Sequence, residues 1–125
     1  MTPEELCLTL EKLFQPDTQV VKEATETLKA YFKQVEALEN LLLLVSQNPN
    51  AQVRQVSCLY LRKIITKLWA NLTPDQQNTS KNLLLQRFRE EPVTLVKKNI
   101  ADVIGSLGKI LIPNKEWPDL FQFIF

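Results

Sequence analysis

The stretch Val53–Leu85, VRQVSCLYLRKIITKLWANLTPDQQNTSKNLLL, decides the fold. It reads as one long amphipathic helix, a tight turn closed by Thr73-Pro74, and a second helix that starts at once. On a helical wheel, Val53, Val56, Ser57, Tyr60, Leu61, Ile64 and Leu68 fall on one broad apolar side. Gln52, Gln55, Leu59, Arg62, Lys63 and Thr66 fall on the other. A helix pair of this kind cannot bury its apolar side alone, so it needs a similar pair above and below it.

The flanking sequence supplies those pairs. Thr2-Pro3-Glu4-Glu5 is a helix start: Thr2 caps, Pro3 takes the first helical position, and Glu5 closes a capping box. Leu6, Leu10, Leu13 and Phe14 carry its apolar stripe. Pro16-Asp17-Thr18 ends that helix and caps the next, which turns Val21, Ala24, Leu28 and Tyr31 inward. After a short break near Gln34-Val35 comes Glu36–Gln47, apolar on most sides and expected deep in the core. Asn48-Pro49-Asn50 is a turn in which Asn50 caps the following helix. Beyond the Thr73/Gln76 cap a helix runs to about Glu90. Pro92 opens a long one with Val93, Val96, Ile100, Val103, Ile104, Leu107 and Leu111 on one side. Gly105 and Gly108 lie inside it, and without a preceding strand they are expected to mark close helix approach, not a phosphate loop. Pro113 stops this helix, and Trp117-Pro118 opens a last one that is still apolar at Phe125.

Helix pairs thus begin near Thr2, Glu36 and Pro74, with part of another near Trp117. A spacing of roughly 33–43 residues lies in or near the window for HEAT or armadillo hairpins. The expected fold is all-α: a right-handed superhelical solenoid of HEAT-type hairpins, about three repeats plus part of a fourth. The repeats are set at about 1–33, 36–69 and 74–112, with 113–125 starting a further one. An end this apolar is not a polar terminal cap, so the chain is expected to be the N-terminal piece of a longer solenoid.

Composition narrows the function classes. Only 2 glycines occur in 125 residues, which disfavours sheets and phosphate loops. The net charge of +1, with both signs mixed along the chain, gives no footprint for direct nucleic-acid binding. No apolar run reaches membrane-spanning length and no leader pattern opens the chain. Cys7 and Cys58 lie far apart in helical patterns, which suits reduced thiols in a cytosolic or nuclear protein. With no histidine, imidazole chemistry is excluded, and two cysteines cannot build a structural zinc site. Glu4-Glu5 and Glu90-Glu91 sit at helix ends and read as solvated helix-end acids, not an acid–base pair. Lys97-Lys98 beside Arg54 read as a solvated face, and Trp69 and Trp117 as packing between repeats. No catalytic residue, metal ligand or cofactor is expected.

The joined motifs resemble the N-terminal region of the importin-β (karyopherin-β) superfamily. The matching residues are Arg54, Ser57, Leu61-Arg62-Lys63, Trp69 and Pro74-Asp75-Gln76-Gln77, followed by VKKNIADVIGSLGKI and by Trp117, Pro118 and Leu120. Ala24 and Leu28 match the weaker opening pattern. The likeness covers essentially the whole chain, and PDTQVVKEATETLKAYFK is most similar to the importin-4 branch, the receptors like yeast karyopherin-123. Ser57 stands where many relatives carry alanine. Whole receptors of this family are usually acidic, so an acidic cargo-binding surface would lie beyond this segment.

In a solenoid the second helix of each hairpin lines the inner, concave side. Wheel positions opposite the core are Lys22, Glu26 and Lys29, then Gln55, Leu59 and Arg62, then Lys98, Asp102 and Ser106. They form a mixed-charge stripe with Leu59 near its middle, which composition alone would make an ordinary wet surface. The resemblance implies more: that these helices receive the small GTPase Ran in its GTP form. Leu59 would then pack on an apolar part of Ran's switch region, flanked by Arg62, Lys98, Asp102 and Glu26. It further implies protein cargo such as ribosomal proteins or histones, FG nucleoporins bound through later repeats, and shuttling between cytoplasm and nucleus. Cargo would be released when Ran-GTP binds. A generic HEAT or armadillo scaffold, or an exportin of the same superfamily, is the alternative.

Overall fold

The computed structural model describes residues 1–111, and within them every regular element is helical. Helix α1 is Pro3–Glu11 and runs into a 3₁₀ turn, Lys12–Phe14; α2 is Thr18–Tyr31 and α3 is Val35–Gln47. Helix α4, Ala51–Leu68, continues through a 3₁₀ turn, Trp69–Asn71, and is followed by α5, Pro74–Glu90, and α6, Thr94–Leu111. The expected helix-opening Trp117-Pro118 and the stop at Pro113 lie outside the described residues.

Local chemistry sets these boundaries. Thr2 Oγ1 accepts from the Glu5 amide at 3.1 Å while Glu5 Oε1 accepts from the Thr2 amide at 3.1 Å, a complete capping box with Pro3 just inside it. Thr73 and Gln76 repeat the arrangement at the start of α5, again with a proline, Pro74, in the first turn. Asp17 caps α2 and Asn50 caps α4, each accepting from the amide two residues on. Each cap satisfies helix-end donors that would otherwise lack a partner.

Helices α1, α3 and α5 pack in succession on one side and α4 packs on α6 on the other, while α2 lies against the 3₁₀ turn and α1 and reaches α4 through Phe32 on Tyr60. Helix α4 is the hub, packed most extensively on α3 within its own hairpin and on α6 of the next. Having two neighbours widens its buried arc beyond the single expected stripe. Val53, Ser57, Ile64 and Leu68 are buried as expected, but so are Arg54, Cys58 and Ile65, whereas Val56 and Tyr60 are only half-buried. Burial pushes the Cys58 thiol up to about 12, so it behaves as a small apolar side chain. The turn ends are apolar too. Phe32 stacks on Tyr60 with ring centroids 4.8 Å apart, and Trp69 is buried while its carbonyl accepts from Gln77 Nε2 at 3.0 Å.

The first hairpin is anchored by a small polar cluster. The buried Asn40 of α3 donates to the Tyr31 hydroxyl at 2.8 Å and to the Met1 carbonyl at 3.0 Å. Tyr31 therefore does point inward, but Phe14 is 43% exposed because the 3₁₀ turn rotates it off the α1 stripe.

Two further expectations are corrected. Arg54 and Glu91 are not solvated helix-end charges; they form a buried bidentate pair, with Nε to Oε1 at 2.7 Å and Nη2 to Oε2 at 3.0 Å. Arg54 Nη1 also donates to the Asn48 carbonyl at 2.9 Å, and Glu91 Oε2 accepts from the Val93 amide at 3.0 Å. Burial works against the Glu91 charge, but the Arg54 and Val93 hydrogen bonds and the charges of Arg54 and Arg87 outweigh it. The net effect holds the carboxyl below the ordinary carboxylate range. The glycines of α6 also differ from each other. Gly108 is buried, but Gly105 is exposed and a Cβ there would meet nothing within 4 Å.

Removing one member of a buried ion pair strands the other charge, so Arg54→Ala should cost about 3–5 kcal/mol in urea denaturation. The double variant Arg54→Met/Glu91→Leu should recover most of that loss. Because the Glu91 pKa is lower in the folded chain, its contribution is complete above the unfolded value near 4.5 and fades as pH falls through the folded value. The double variant should therefore lose less stability than the parent between pH 5 and about pH 3. Equal acid sensitivity in both would remove Glu91 from this role. Separately, Gly105→Ala should stabilise the chain by about 0.5–1 kcal/mol, visible as a rise of a few degrees in thermal midpoint. A fall would mean that the site is closed.

Candidate functional site

The inner-layer helices carry their apolar residues inward at helical spacing, which leaves a polar stripe facing out. Lys22, Glu26 and Lys29 on α2 are exposed, as are Arg62 on α4 and Lys98 on α6. Gln55, Asp102 and Ser106 are half-exposed, and Leu59 is 46% exposed between them in sequence order. The structure buries none of the residues read onto this face.

Charge on the face is less mixed than expected. Helix α4 carries Arg54, Arg62, Lys63 and Lys67 and no acid, while α6 carries Lys97, Lys98 and Lys109 against Asp102 alone. With Arg54 neutralised inside, the outward charge of this adjacent pair is still clearly positive. Two of the cations lie over rings: Lys63 Nζ is 5.4 Å from the Tyr60 centroid and Lys97 Nζ is 5.0 Å from that of Phe88. Lys63, placed on the polar side of the wheel, was left out of the candidate stripe, as were Lys67 and Lys109. The signal was there in the four-residue step from Leu59 to Lys63 to Lys67, which keeps one helix edge basic. Helix α2 stays balanced, with Lys22 and Lys29 beside Glu23 and Glu26.

The side chains on this face are those of a contact surface. It offers an exposed leucine, several cations and a neighbouring aromatic ring, suited to a macromolecular partner that presents an apolar spot within an acidic surround. The other chemistry-bearing residues are engaged elsewhere. Glu91 is locked in its ion pair, and Cys7 donates to Glu11 Oε1 at 3.2 Å and accepts from Asn48 Nδ2 at 3.3 Å. Burial, then the Glu11 hydrogen bond and charge, push the Cys7 thiol up, away from the nucleophilic range. Among the described residues no group of Cys, Asp and Glu is arranged to hold a metal ion, and no helix is long and apolar enough to cross a membrane.

Comparison with known proteins places these helices in a family. Residues 24–106, from mid α2 to mid α6, match the model of the importin-beta N-terminal domain. The chain is 32% identical over 121 residues to the probable importin subunit beta-4 of Schizosaccharomyces pombe, covering 96% of this chain and 11% of that one. It is 29% identical over 107 residues to importin-4 of Mus musculus, covering 86% and 10%. A probable importin-5 homolog of Dictyostelium discoideum is 28% identical over 123 residues, covering 92% and 11%. The chain thus spans about a tenth of the length of these curated relatives.

If the face is a surface and not a packing element, Leu59→Ser and Arg62→Ala should each change unfolding free energy by less than about 0.5 kcal/mol. Denaturation with urea checks this, and a loss above about 1 kcal/mol in either would show that the side chain supports the fold.

Proposed function

This chain belongs to the importin-β family through its N-terminal domain, and from that membership we propose that it is the Ran-GTP-binding end of a nuclear transport receptor. The observation that carries the reading is the overlap of the family match with the exposed α4–α6 face. Leu59 is the apolar anchor, set against the flexible cations of Arg62 and Lys98. Lys22, Glu26, Lys29, Gln55, Asp102 and Ser106 supply the polar surround. A central apolar residue ringed by polar groups is the arrangement in which one side chain contributes most to affinity.

The mechanism is linkage between two ligands of one elastic solenoid. Protein cargo, with ribosomal proteins or histones as the class, binds at later repeats, and Ran-GTP binds here. Each favours a different curvature, so each weakens the other by the same coupling free energy. Cargo taken up in the cytoplasm is released in the nucleus, and passage through the pore uses FG nucleoporin contacts on later repeats. No step requires an active site in the receptor. Binding partners alone set the direction: an exportin would take up cargo together with Ran-GTP, and the importin-4-type relatives favour import.

The test is binding to Ran loaded with a non-hydrolysable GTP analogue or with GDP, for this chain and for the full receptor. The GTP form should be preferred at least about tenfold, and Leu59→Glu or Arg62→Glu should reduce that binding by about tenfold or more. A full receptor that ignores the nucleotide state would sink the proposal. Cargo held more tightly in the presence of Ran-GTP would reverse the direction to export.

A further inference from the structure

Two of the outer helices, α1 and α3, differ in charge from α4. Helix α1 carries Glu4, Glu5 and Glu11 and no basic residue, and α3 carries Glu36 and Glu39 and no basic residue. Two apolar grooves open between these outer helices. The first, about 490 Å³, runs between α1 and α3 past Leu8 and Leu43, with Glu4 and Glu11 on its rim. The second, about 350 Å³, lies between α3 and α5 past Leu43 and Leu83, with Glu39 and Asp75 on its rim. Leu43 lines both. Leu8 is 62% exposed and Leu43 39%, so the two grooves share an apolar ridge open to solvent. Leu43 belongs to the apolar run Leu41–Val45, inside the Glu36–Gln47 segment expected deep in the core. A five-residue run exceeds one helical turn, so one member must point away from a core on a single side.

We propose that this outer ridge is a docking site for a basic amphipathic peptide segment of a partner protein, with apolar side chains in the two grooves and Lys or Arg over the rim acids. Shape and charge each supply part of the argument. The grooves have the size and open leucines to accept large apolar side chains. The rim carries four carboxylates, and among the described residues no basic side chain lines either groove, so an acidic or neutral segment gains no charge attraction from it. Glu39 accepts a hydrogen bond from Gln76 Nε2 and Glu11 one from the Cys7 thiol. Both contacts leave the carboxylate charge in place and fix its position, which orders the rim before a ligand arrives. The site lies on the layer opposite the Leu59 face and does not depend on the Ran reading.

The test is fluorescence anisotropy with the intact chain and a labelled synthetic amphipathic helix, leucines on one face and lysines on the other. Analogues replace every lysine with glutamine or with glutamate. The lysine peptide should bind, and less tightly as salt rises; the glutamine analogue should be at least about tenfold weaker and the glutamate analogue silent. Leu8→Ser/Leu43→Ser should weaken the lysine peptide about tenfold, because both leucines would lose buried area. Since both are already exposed, far-ultraviolet circular dichroism should be unchanged. Glu4→Gln/Glu11→Gln, which leaves the apolar surface intact, should weaken it as well. Amide chemical-shift changes should fall on α1, α3 and α5 and not on α2 or α4. Equal binding of the neutral analogue would overturn the charge argument, and an unaffected Leu8→Ser/Leu43→Ser variant would overturn the location. Self-association that those substitutions abolish, seen by sedimentation, would make a second copy the occupant and overturn the proposal.

Discussion

The buried pair between Arg54 and Glu91 is the interaction on which the arrangement of hairpins depends. It joins the first turn of α4 to the connection between α5 and α6. Through the Asn48 carbonyl and the Val93 amide it also fixes both interhelical turns. Asn48 in turn reaches back to Cys7 on α1. A continuous polar chain therefore runs along one edge of the stack from the first hairpin to the third. Apolar packing alone would hold the helices together but tolerate sliding, since burial is non-directional. A bidentate pair inside a low-dielectric boundary tolerates almost none. Such a pair adds little net stability over an apolar substitute, but its directional contacts tie the first turn of α4 to the α5–α6 connection.

With register set at that edge, the two layers are free to differ. The outer helices α1 and α3 are purely acidic in their charged residues and the inner helix α4 is purely basic. The other two helices of these layers are mixed, α5 with Lys81, Arg87 and Arg89 against Asp75 and Glu90 and α2 with two charges of each sign. The contrast is therefore local to α1, α3 and α4, and a net charge of +1 conceals it. A layered solenoid can hold unlike charge on opposite faces because no helix belongs to both. Each face can then select a partner of opposite sign without interfering with the other. The near-neutral composition therefore hides local patches of unlike sign on α1 and α3 and on α4.

How much of this was legible depended on the range of the interaction. The caps at Thr2, Asp17, Asn50 and Thr73 were readable because every partner lies within three residues. The all-helical fold was readable because a stripe repeats at helical spacing in each segment. Arg54 was not, since its partner is 37 residues away and a wheel gives each residue a single face. Glu91 failed for the same reason, as an acid beside a turn looks solvated until the turn is packed. Gly105 and Gly108 are alike in sequence, and only their places on the packed surface of α6 separate the buried one from the open one. The candidate inner face was legible as surface. Its sign was not, because the stripe was read one residue per turn and omitted Lys63, Lys67 and Lys109.

The position of the polar chain also bears on how such a stack could bend. The Arg54 end of α4 is tied by directional hydrogen bonds, whereas the Tyr60 to Trp69 end meets its neighbours through Phe32, Leu68 and Trp69, all buried and largely apolar. Directional contacts resist displacement within a few tenths of an ångström, while an apolar interface can shift if volume and area are kept. A change in curvature therefore has a natural pivot at the Arg54–Glu91 edge, with the opposite ends of the helices moving most. Leu59 and Arg62 sit between the pivot and the moving end of α4. A partner that grips them together with Lys98 on α6 spans two neighbouring hairpins, so its affinity must depend on the angle between them. That dependence follows from which end of the helices is polar and which is apolar.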